Sequence, residues 1–373
     1  MYRIMVVVGT RPEIIKLSRV INEIDAHFDL TLVHTGQNYD YELNEIFFKD
    51  LNIRQPDYYL NSTDKRTAKT IANIIDKSDA IFETIKPHGL LVYGDTNSTL
   101  CVISAKKKKI PVFHMEAGNR CFDDRVPEEI NRRIVDHSSD INMTISEHAR
   151  NYLIREGIRS ETIFKIGSSM HEVLSFYKDK IESSSILKEL ELKINNYFVF
   201  STHREENIDN PDYLSLMIDS LNHVADSYGQ PCIYSVHPRL RKSIDCSDFA
   251  ISRNIKLMKP LAFTDYIKLQ QNSRCVISDS GTIFEEASLL SFPAVTVRNS
   301  HERPEAIDSG HVVVSDHSLA SIQDSVKMAI KQRDSSRYLT IPQDYQSENV
   351  SIKVSRVIQG YISQINKKTY FSL

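Results

Sequence analysis

Residues 3–17, RIMVVVGTRPEIIKL, decide the fold of the amino-terminal half of the chain. Ile4 to Val8 is a short apolar run, which predicts a strand buried in a parallel sheet. Gly9 permits the tight turn that follows, and Pro12 stands where a proline is tolerated, in the first turn of a helix. The stretch therefore predicts one strand–turn–helix unit.

Outward from this unit, strand and helix patterns alternate along the chain. Strands are predicted at 30–34, 89–93, 110–115, 197–201, 232–236, 275–278 and 294–297, and helices at 43–50 and 67–84. Regular alternation predicts an α/β protein with two Rossmann-like parallel sheets. Open sheets of this kind bind ligands at the carboxyl ends of their strands, so we expect the site in a cleft between two domains.

The same patterns predict the domain boundaries. We expect an amino-terminal domain at 1–168, a polar helical connection at 169–196, a carboxyl-terminal domain at 197–349 and a final amphipathic helix within 350–373. No internal repeat interrupts this order.

Composition excludes several classes of protein. The 373 residues carry a net charge of -3, which gives no support for nucleic-acid binding. Five scattered cysteines without a C-x-x-C pair fit reduced thiols better than disulfides or a zinc site, and we expect no metal. The apolar start is too short for a signal peptide, and no stretch is long enough for membrane insertion, so we expect a cytoplasmic protein. The lysine run at 106–109 is interpreted as an ordinary helix end.

Polar residues follow the predicted strands of the first half. Arg11 and Lys16 follow the first strand at a helix start, where an anion is favoured, although Arg11 is equally well explained as a surface residue. Asp95 is either a base or the cap of the next helix. Glu116 ends a hydrophobic strand and is harder to explain structurally. Glu128 is a third acid in the same region. Three acids exceed what binding of an anion needs, and they indicate proton transfer.

Glu128 also has a purely structural interpretation, because Arg132 follows it by four residues and such helical pairs are usually solvated salt bridges.

The second half offers an anion-binding turn. Ser280-Gly281-Thr282 joins a strand to a helix, and backbone N–H groups at such a turn bind phosphate. Glu286, one turn into that helix, could accept hydrogen bonds from the hydroxyls of a ribose, and Arg303 adds a guanidinium. His203 and His237 follow two other strands, where each is either a phosphate or proton-transfer residue or a structural histidine.

Together these motifs closely resemble the non-hydrolysing UDP-N-acetylglucosamine 2-epimerase family over nearly the whole chain. The matching segments are GTRPEIIKL (9–17), HTGQ (34–37), GDTNS (94–98), HMEAGNR (114–120), PEEINR (127–132), THREEN (202–207), VHP (236–238), SDSGTIFEEA (278–287) and ERPEA (302–306). The resemblance implies the GT-B arrangement of two domains, a carboxyl-terminal helix that crosses back to the first domain, a homodimer, and a UDP-amino sugar as substrate without a cofactor. It also implies that UDP is eliminated to give a glycal and is then added back after protonation of the other face of C2.

The resemblance assigns roles to individual residues. Asp95, Glu116, Glu128 and His203 correspond to the catalytic set. The implied contacts with the diphosphate and the sugar are Arg11, Lys16, Arg132, His237, Ser280, Gly281 and Thr282. Glu286 corresponds to the ribose ligand, Arg303 to a contact in the same site, and Tyr266 to the ring that stacks on uracil.

Two departures from the family pattern affect these expectations. Thr282 stands where the family often has a second glycine, which affects one backbone contact to phosphate. Residues 36–44 differ from the loop of bacterial members that are activated by substrate, which argues against that allosteric site. With residues 119–123, this loop resembles the capsule and O-antigen branch, which forms UDP-N-acetyl-L-fucosamine from the 6-deoxy-L-talose epimer.

Three other functions compete with the epimerase. A UDP-sugar glycosyltransferase shares the architecture, a hydrolysing relative would release UDP and free N-acetylmannosamine, and an inactive UDP-sugar binder would need no acids.

Overall fold

The computed structural model describes residues 1–36, 41–202, 211–236, 240, 241, 244, 249–298, 300–335 and 339–371. The chain forms two compact units: Met1–Ser175 with Gln343–Leu373, and Phe176–Pro342. Residues 169–175 therefore belong to the first unit and 176–196 to the second, where the sequence suggested a separate connection. Residues 343–349 join the first unit, seven residues before the predicted final helix.

The first unit is built on a seven-stranded sheet. Its strands are β1 (Arg3–Val8), β2 (Asp29–His34), β3 (Tyr58–Tyr59), β4 (Gly89–Tyr93), β5 (Val112–Met115), β6 (Ile141–Thr144) and β7 (Ile163–Lys165). Its helices are α1 (Arg11–His27), α2 (Tyr41–Asp50), α3 (Thr67–Ile85), α4 (Val102–Lys107), α5 (Pro127–Ser138), α6 (Glu147–Arg155) and α7 (Met170–Phe176), with the last helix of the chain, Val350–Lys368. The strands pair in parallel in the order β3-β2-β1-β4-β5-β6-β7.

The second unit is built on a six-stranded sheet. Its strands are β8 (Phe198–Thr202), β9 (Cys232–Val236), β10 (Ile255–Met258), β11 (Cys275–Ser278), β12 (Ala294–Thr296) and β13 (Val312–Val314). Its helices are α8 (Lys178–Ser183), α9 (Ile186–Glu189), α10 (Pro211–Tyr228), α11 (Phe263–Asn272), α12 (Ile283–Leu290), α13 (Pro304–Asp308) and α14 (Leu319–Asp334), which makes the Val350–Lys368 helix α15. The parallel order is β10-β9-β8-β11-β12-β13.

Apolar strands explain both cores. In the first unit Val7, Val92 and Val112 are buried between the sheet and its helices. In the second unit Phe200 and Ile277 occupy the equivalent position. Strands that are apolar throughout are typical of parallel sheets covered on both faces. The predicted fold class, two parallel α/β domains, is confirmed.

The strand order fixes where ligands are expected. In each sheet, successive strands are added first toward one edge and then toward the other. This reversal of strand order falls between β1 and β4 in the first unit and between β8 and β11 in the second. Loops leave in opposite directions on either side of such a reversal and open a crevice at the carboxyl ends of the strands. The candidate residues after β1, β4 and β11 all lie at these two points.

The carboxyl-terminal helix α15 packs in the first unit. Ser351 of α15 donates its backbone N–H to Glu172 at 2.9 Å, and the ammonium of Lys353 lies 3.0 Å from the carbonyl oxygen of Ile166. Among the described residues, no helix combines the length and the apolar character that crossing a bilayer requires.

Candidate functional site

Glu116 lies at the centre of a buried ionic cluster at the end of β5. Its Oε2 atom lies 2.8 Å from the ammonium of Lys16, and it accepts a hydrogen bond of 2.7 Å from the hydroxyl of Tyr93. The ammonium also lies 5.6 Å from the centre of the Tyr93 ring. Only 10% of the Glu116 side chain is exposed, so these two donors stabilise its negative charge where water contributes little.

The backbone of Glu116 is left-handed, with φ of 64°. A residue with a Cβ atom adopts this conformation at a cost of about 1–2 kcal/mol. Such strain persists only where the surrounding structure fixes it, and it concentrates at functional sites. Glu116 therefore combines a buried charge with a left-handed backbone.

Asp95 forms a second, separate ion pair after β4. Its Oδ2 atom lies 2.5 Å from Nη2 of Arg132, whose Nη1 lies 2.9 Å from Oε2 of Glu129 on the same helix, α5. Asn131 of α5 also donates its side-chain amide to the carbonyl oxygen of Asp95 at 2.9 Å. Two consecutive residues of α5 thus hold the Asp95 loop.

Glu129 is fully buried and was not predicted from the sequence, which singled out its neighbour Glu128. Burial alone would raise the pKa of Glu129, but the backbone N–H of Cys121 and the guanidinium of Arg132 hold that pKa below its usual value. Glu128 is half-buried in the first turn of α5. The sequence gives no signal that separates adjacent carboxylates, because which one faces inward depends on how α5 packs.

Glu13 is a further acid that sequence reasoning did not place in the site. Its carboxylate accepts the backbone N–H groups of Gly9 at 2.5 Å and Thr10 at 2.9 Å, and the hydroxyl of Thr96 at 2.5 Å. Burial raises its pKa to about 7, and the nearby charge of Asp95 adds to the rise. Glu13 therefore ties the loop after β1 to the loop after β4. A threonine followed three residues later by glutamate at a helix start was the available signal.

Tyr93 was also missed, because the last residue of an apolar strand gives no sign that its hydroxyl contacts an acid.

Arg11, by contrast, was predicted as a substrate contact. It is half-buried, and its guanidinium carbon lies 5.8 Å from the centre of the Phe47 ring. Arg11 opens α1, and Lys16 lies in its second turn.

The second unit contains the predicted anion-binding turn between β11 and α12. Ser280 donates its backbone N–H to the hydroxyl of Ser278 at 3.0 Å, and its own hydroxyl lies 3.0 Å from that of Thr282. At Gly281, an added Cβ atom would lie 2.9 Å from Oε1 of Glu302. Glycine is therefore needed here for close approach to a side chain, and Thr282 begins the helix that follows.

Acids and cations surround this turn. Glu286 is buried in α12 and accepts a hydrogen bond of 2.8 Å from the amide of Gln270, a residue that the sequence analysis did not name. Arg303, also buried, lies 3.6 Å from Glu285. Glu286 thus lies one helical turn beyond the turn formed by Ser280, Gly281 and Thr282.

Three predicted residues have less structural support. Tyr266 is half-buried in α11, the helix that also carries Gln270. His203 and His237 lie outside the described residues. In the ranges that the structure describes, no group of three or more His, Cys, Asp or Glu side chains could hold a metal ion.

Two parallel α/β units with polar clusters at the carboxyl ends of both sheets define a class of proteins that bind their ligands at those ends. The model of the family described as UDP-N-acetylglucosamine 2-epimerase matches residues 22–359. The chain belongs to this family.

Two solved structures and one curated relative that are similar to this chain are all described as 2-epimerases. The chain is similar to a UDP-N-acetylglucosamine 2-epimerase from Rickettsia bellii, with 45% identity, a TM-score of 0.92 and complete coverage of both chains. It is also similar to the Methanocaldococcus jannaschii UDP-GlcNAc 2-epimerase solved with UDP-GlcNAc and UDP, with 29% identity, a TM-score of 0.89 and coverage of 96% and 99%. A Pseudomonas aeruginosa UDP-2,3-diacetamido-2,3-dideoxy-D-glucuronate 2-epimerase is 32% identical over 88% of this chain and 92% of its own length.

Proposed function

We propose that the protein inverts C2 of a UDP-bound N-acetylated amino sugar and keeps UDP in its product. Family membership supports the reaction class. One observation carries the chemistry: Glu116 and Asp95 lie at the ends of neighbouring strands, each with its own cation, Lys16 and Arg132. Carboxylates in different environments at one site are typical of paired acid and base roles.

The reaction follows from the chemistry of the sugar. When the bond from C1 to the UDP oxygen lengthens, positive charge develops at C1 and makes the proton on C2 more acidic. A carboxylate removes this proton, UDP departs, and a C1–C2 double bond forms. Protonation of C2 from the opposite face and re-addition of UDP then give the epimer. Electrons and atoms balance without an oxidant, so no nicotinamide is needed.

Inversion needs a proton donor or acceptor on each face of C2. We assign these tasks to the acids of the first unit, Asp95, Glu116 and Glu128, with His203 as a further member of the catalytic set. The contacts of Lys16 and Tyr93 suit Glu116 to act as a carboxylate base, because both donate to its Oε2 atom and stabilise the ionised form.

The second unit is proposed to bind UDP. The backbone of Ser280, Gly281 and Thr282 would bind phosphate at the start of α12, with Arg303 nearby, and Glu286 would accept the ribose hydroxyls. The hydrogen bond from Gln270 supports the last assignment, because it orients one Glu286 oxygen. We also assign Tyr266 to uracil, and Arg11, Lys16, Arg132 and His237 to the diphosphate and sugar.

Two sugars compete as the natural substrate. The Rickettsia and Methanocaldococcus relatives are described as UDP-N-acetylglucosamine and UDP-GlcNAc epimerases. The likeness of residues 119–123 to the capsule and O-antigen branch favours UDP-2-acetamido-2,6-dideoxy-L-talose instead, and with it a role in surface polysaccharide synthesis. The other part of that likeness is residues 36–44, of which 37–40 lie outside the described residues.

The test is incubation of each UDP-sugar in heavy water, followed by proton NMR at C2. Deuterium at C2 with UDP still attached supports epimerisation, and the sugar with the higher kcat/KM is the substrate. Free UDP with free N-acetylmannosamine would show the hydrolysing reaction instead. No exchange with either sugar would leave transfer or simple binding, and the proposal would be wrong.

A further inference from the structure

Asp136 of α5 is a buried carboxylate that is not one of the proposed catalytic acids. Its Oδ1 atom lies 2.9 Å from Nδ1 of His114, and its Oδ2 atom accepts a hydrogen bond of 2.7 Å from Nη1 of Arg120. The backbone N–H of Gly118 lies 3.1 Å and 3.2 Å from the two oxygens. Burial alone would raise the pKa of Asp136, but the hydrogen bond from His114 and the charge of Arg120 hold that pKa below its usual value. The Asp136 side chain is therefore held as an anion by its contacts with His114, Arg120 and Gly118.

His114 extends this network to the Asp95 loop. Its Nε2 atom lies 2.8 Å from the carbonyl oxygen of Gly94, the residue that precedes Asp95. A carbonyl oxygen only accepts hydrogen bonds, and so does the carboxylate of Asp136 at the other ring nitrogen. Nε2 of His114 is therefore the donor to Gly94, and the ring, whose Nδ1 atom lies 2.9 Å from Asp136, links Gly94 to Asp136.

The same network encloses the strained residue. Glu116 lies two residues after His114 and two residues before Gly118, and Asp136 contacts both of these neighbours. Gly118 is itself left-handed, with φ of 79°, and an added Cβ atom would lie 2.5 Å from the carbonyl oxygen of Ala149. The chain on both sides of Glu116 is thus anchored to one carboxylate, which explains how φ of 64° is maintained.

We propose that Asp136, acting through His114 and Gly118, is a positioning residue. It fixes the positions of Glu116 and Asp95 for proton transfer at C2. The inference rests on the proposed function, which makes those two acids the reacting groups. Asp136 does not reach the substrate. Its loss lets both loops shift, and a displacement of about 1 Å at a reacting group costs roughly 100-fold in rate.

Two variants test this role. Asp136→Asn places an amide where one carboxylate oxygen now accepts, and His114→Gln breaks the link to Gly94 while the pair of Asp136 and Arg120 remains. We expect kcat to fall about 10- to 100-fold in both. KM and the Kd for UDP should stay within about twofold of the wild type, because neither substitution alters a residue that is assigned to contact UDP.

The matched control is Glu156→Gln. Glu156 is the other carboxylate of Arg120, bonded at 2.6 Å and partly exposed, and its partners are Arg120 and His137 rather than His114 or Gly118. This variant should lower the melting temperature and leave kcat unchanged. The isotope effect with substrate deuterated at C2 gives an independent readout, since a misplaced base slows C–H cleavage and should raise the effect on kcat in Asp136→Asn and His114→Gln only.

Several results would overturn the inference. One is wild-type kcat in a folded His114→Gln protein, which decides the matter alone if Asp136→Asn does not fold. Another is an equal loss of kcat in Glu156→Gln, which would show a general effect of stability. Absence of C2 exchange in the wild type is a different failure: it would remove the proposed function and this inference with it.

Discussion

The Glu13→Gln substitution should change how stability depends on pH. The folded protein holds the Glu13 proton up to a pH of about 7, whereas an unfolded chain releases it near 4.5. Between these values the folded state binds more protons, so the free energy of unfolding falls as the pH rises. The difference corresponds to about 3 kcal/mol, at about 1.36 kcal/mol for each pKa unit. Glutamine does not titrate, so this loss disappears.

The assay compares melting temperatures of the variant and the wild type from pH 4.5 to pH 8. Relative to the wild type, Glu13→Gln should gain about 3 kcal/mol over this range. For a unit of this size that is roughly 6–12 °C in melting temperature. Ala26→Ser, an exposed change on the same helix that alters no titratable group, is the control and should show no such trend. A difference between Glu13→Gln and the wild type that stays constant with pH would refute the reasoning.

Three further predictions concern stability, UDP binding and metals. His34 is buried and accepts the N–H of Gly36 at 3.0 Å, and burial lowers its pKa to about 4 from 6.5. Stability should therefore be lost as the pH falls from 6.5 to 4, by about 3 kcal/mol, and His34→Gln should remove most of this loss; parallel melting curves would contradict it. Gly281→Ala should weaken UDP binding about 10-fold in calorimetry, because its Cβ atom meets Glu302, whereas Gly360→Ala, which meets nothing, should not; equal Kd values would be evidence against the phosphate role. EDTA should leave activity unchanged, because the proposed elimination and re-addition of UDP use only acids and cations of the chain; a loss restored by a divalent cation would show otherwise.

The fold was predictable where the sequence carries long, regular patterns. Apolar runs of five or six residues predicted β1, β4 and β9 because each is buried on both faces. Five strands of two to four residues each were not predicted, since so few residues carry little periodicity; they are β3, β6, β7, β10 and β13. Strand order could not be predicted either, because pairing depends on contacts between residues far apart in the sequence.

The site was predictable in its residue types but not in its pairs. Asp95 and Glu116 stand after neighbouring strands of the first unit, and parallel topology brings such loops together. The loop at Ser280 likewise stands at a strand end of the second unit. That Lys16 pairs with Glu116, and Arg132 with Asp95, follows only from packing. In the same way Glu129, rather than its neighbour Glu128, is fully buried in α5, because helix rotation decides which of the two faces inward.

The most direct test of the central claim compares the wild type with Glu116→Gln in heavy water. Glutamine keeps the size of the side chain and removes its ability to take a proton. The wild type should place deuterium at C2 of the UDP-sugar with UDP still attached, and Glu116→Gln should place almost none while it binds UDP with unchanged Kd. Deuterium exchange at near-normal rates in Glu116→Gln would contradict the account.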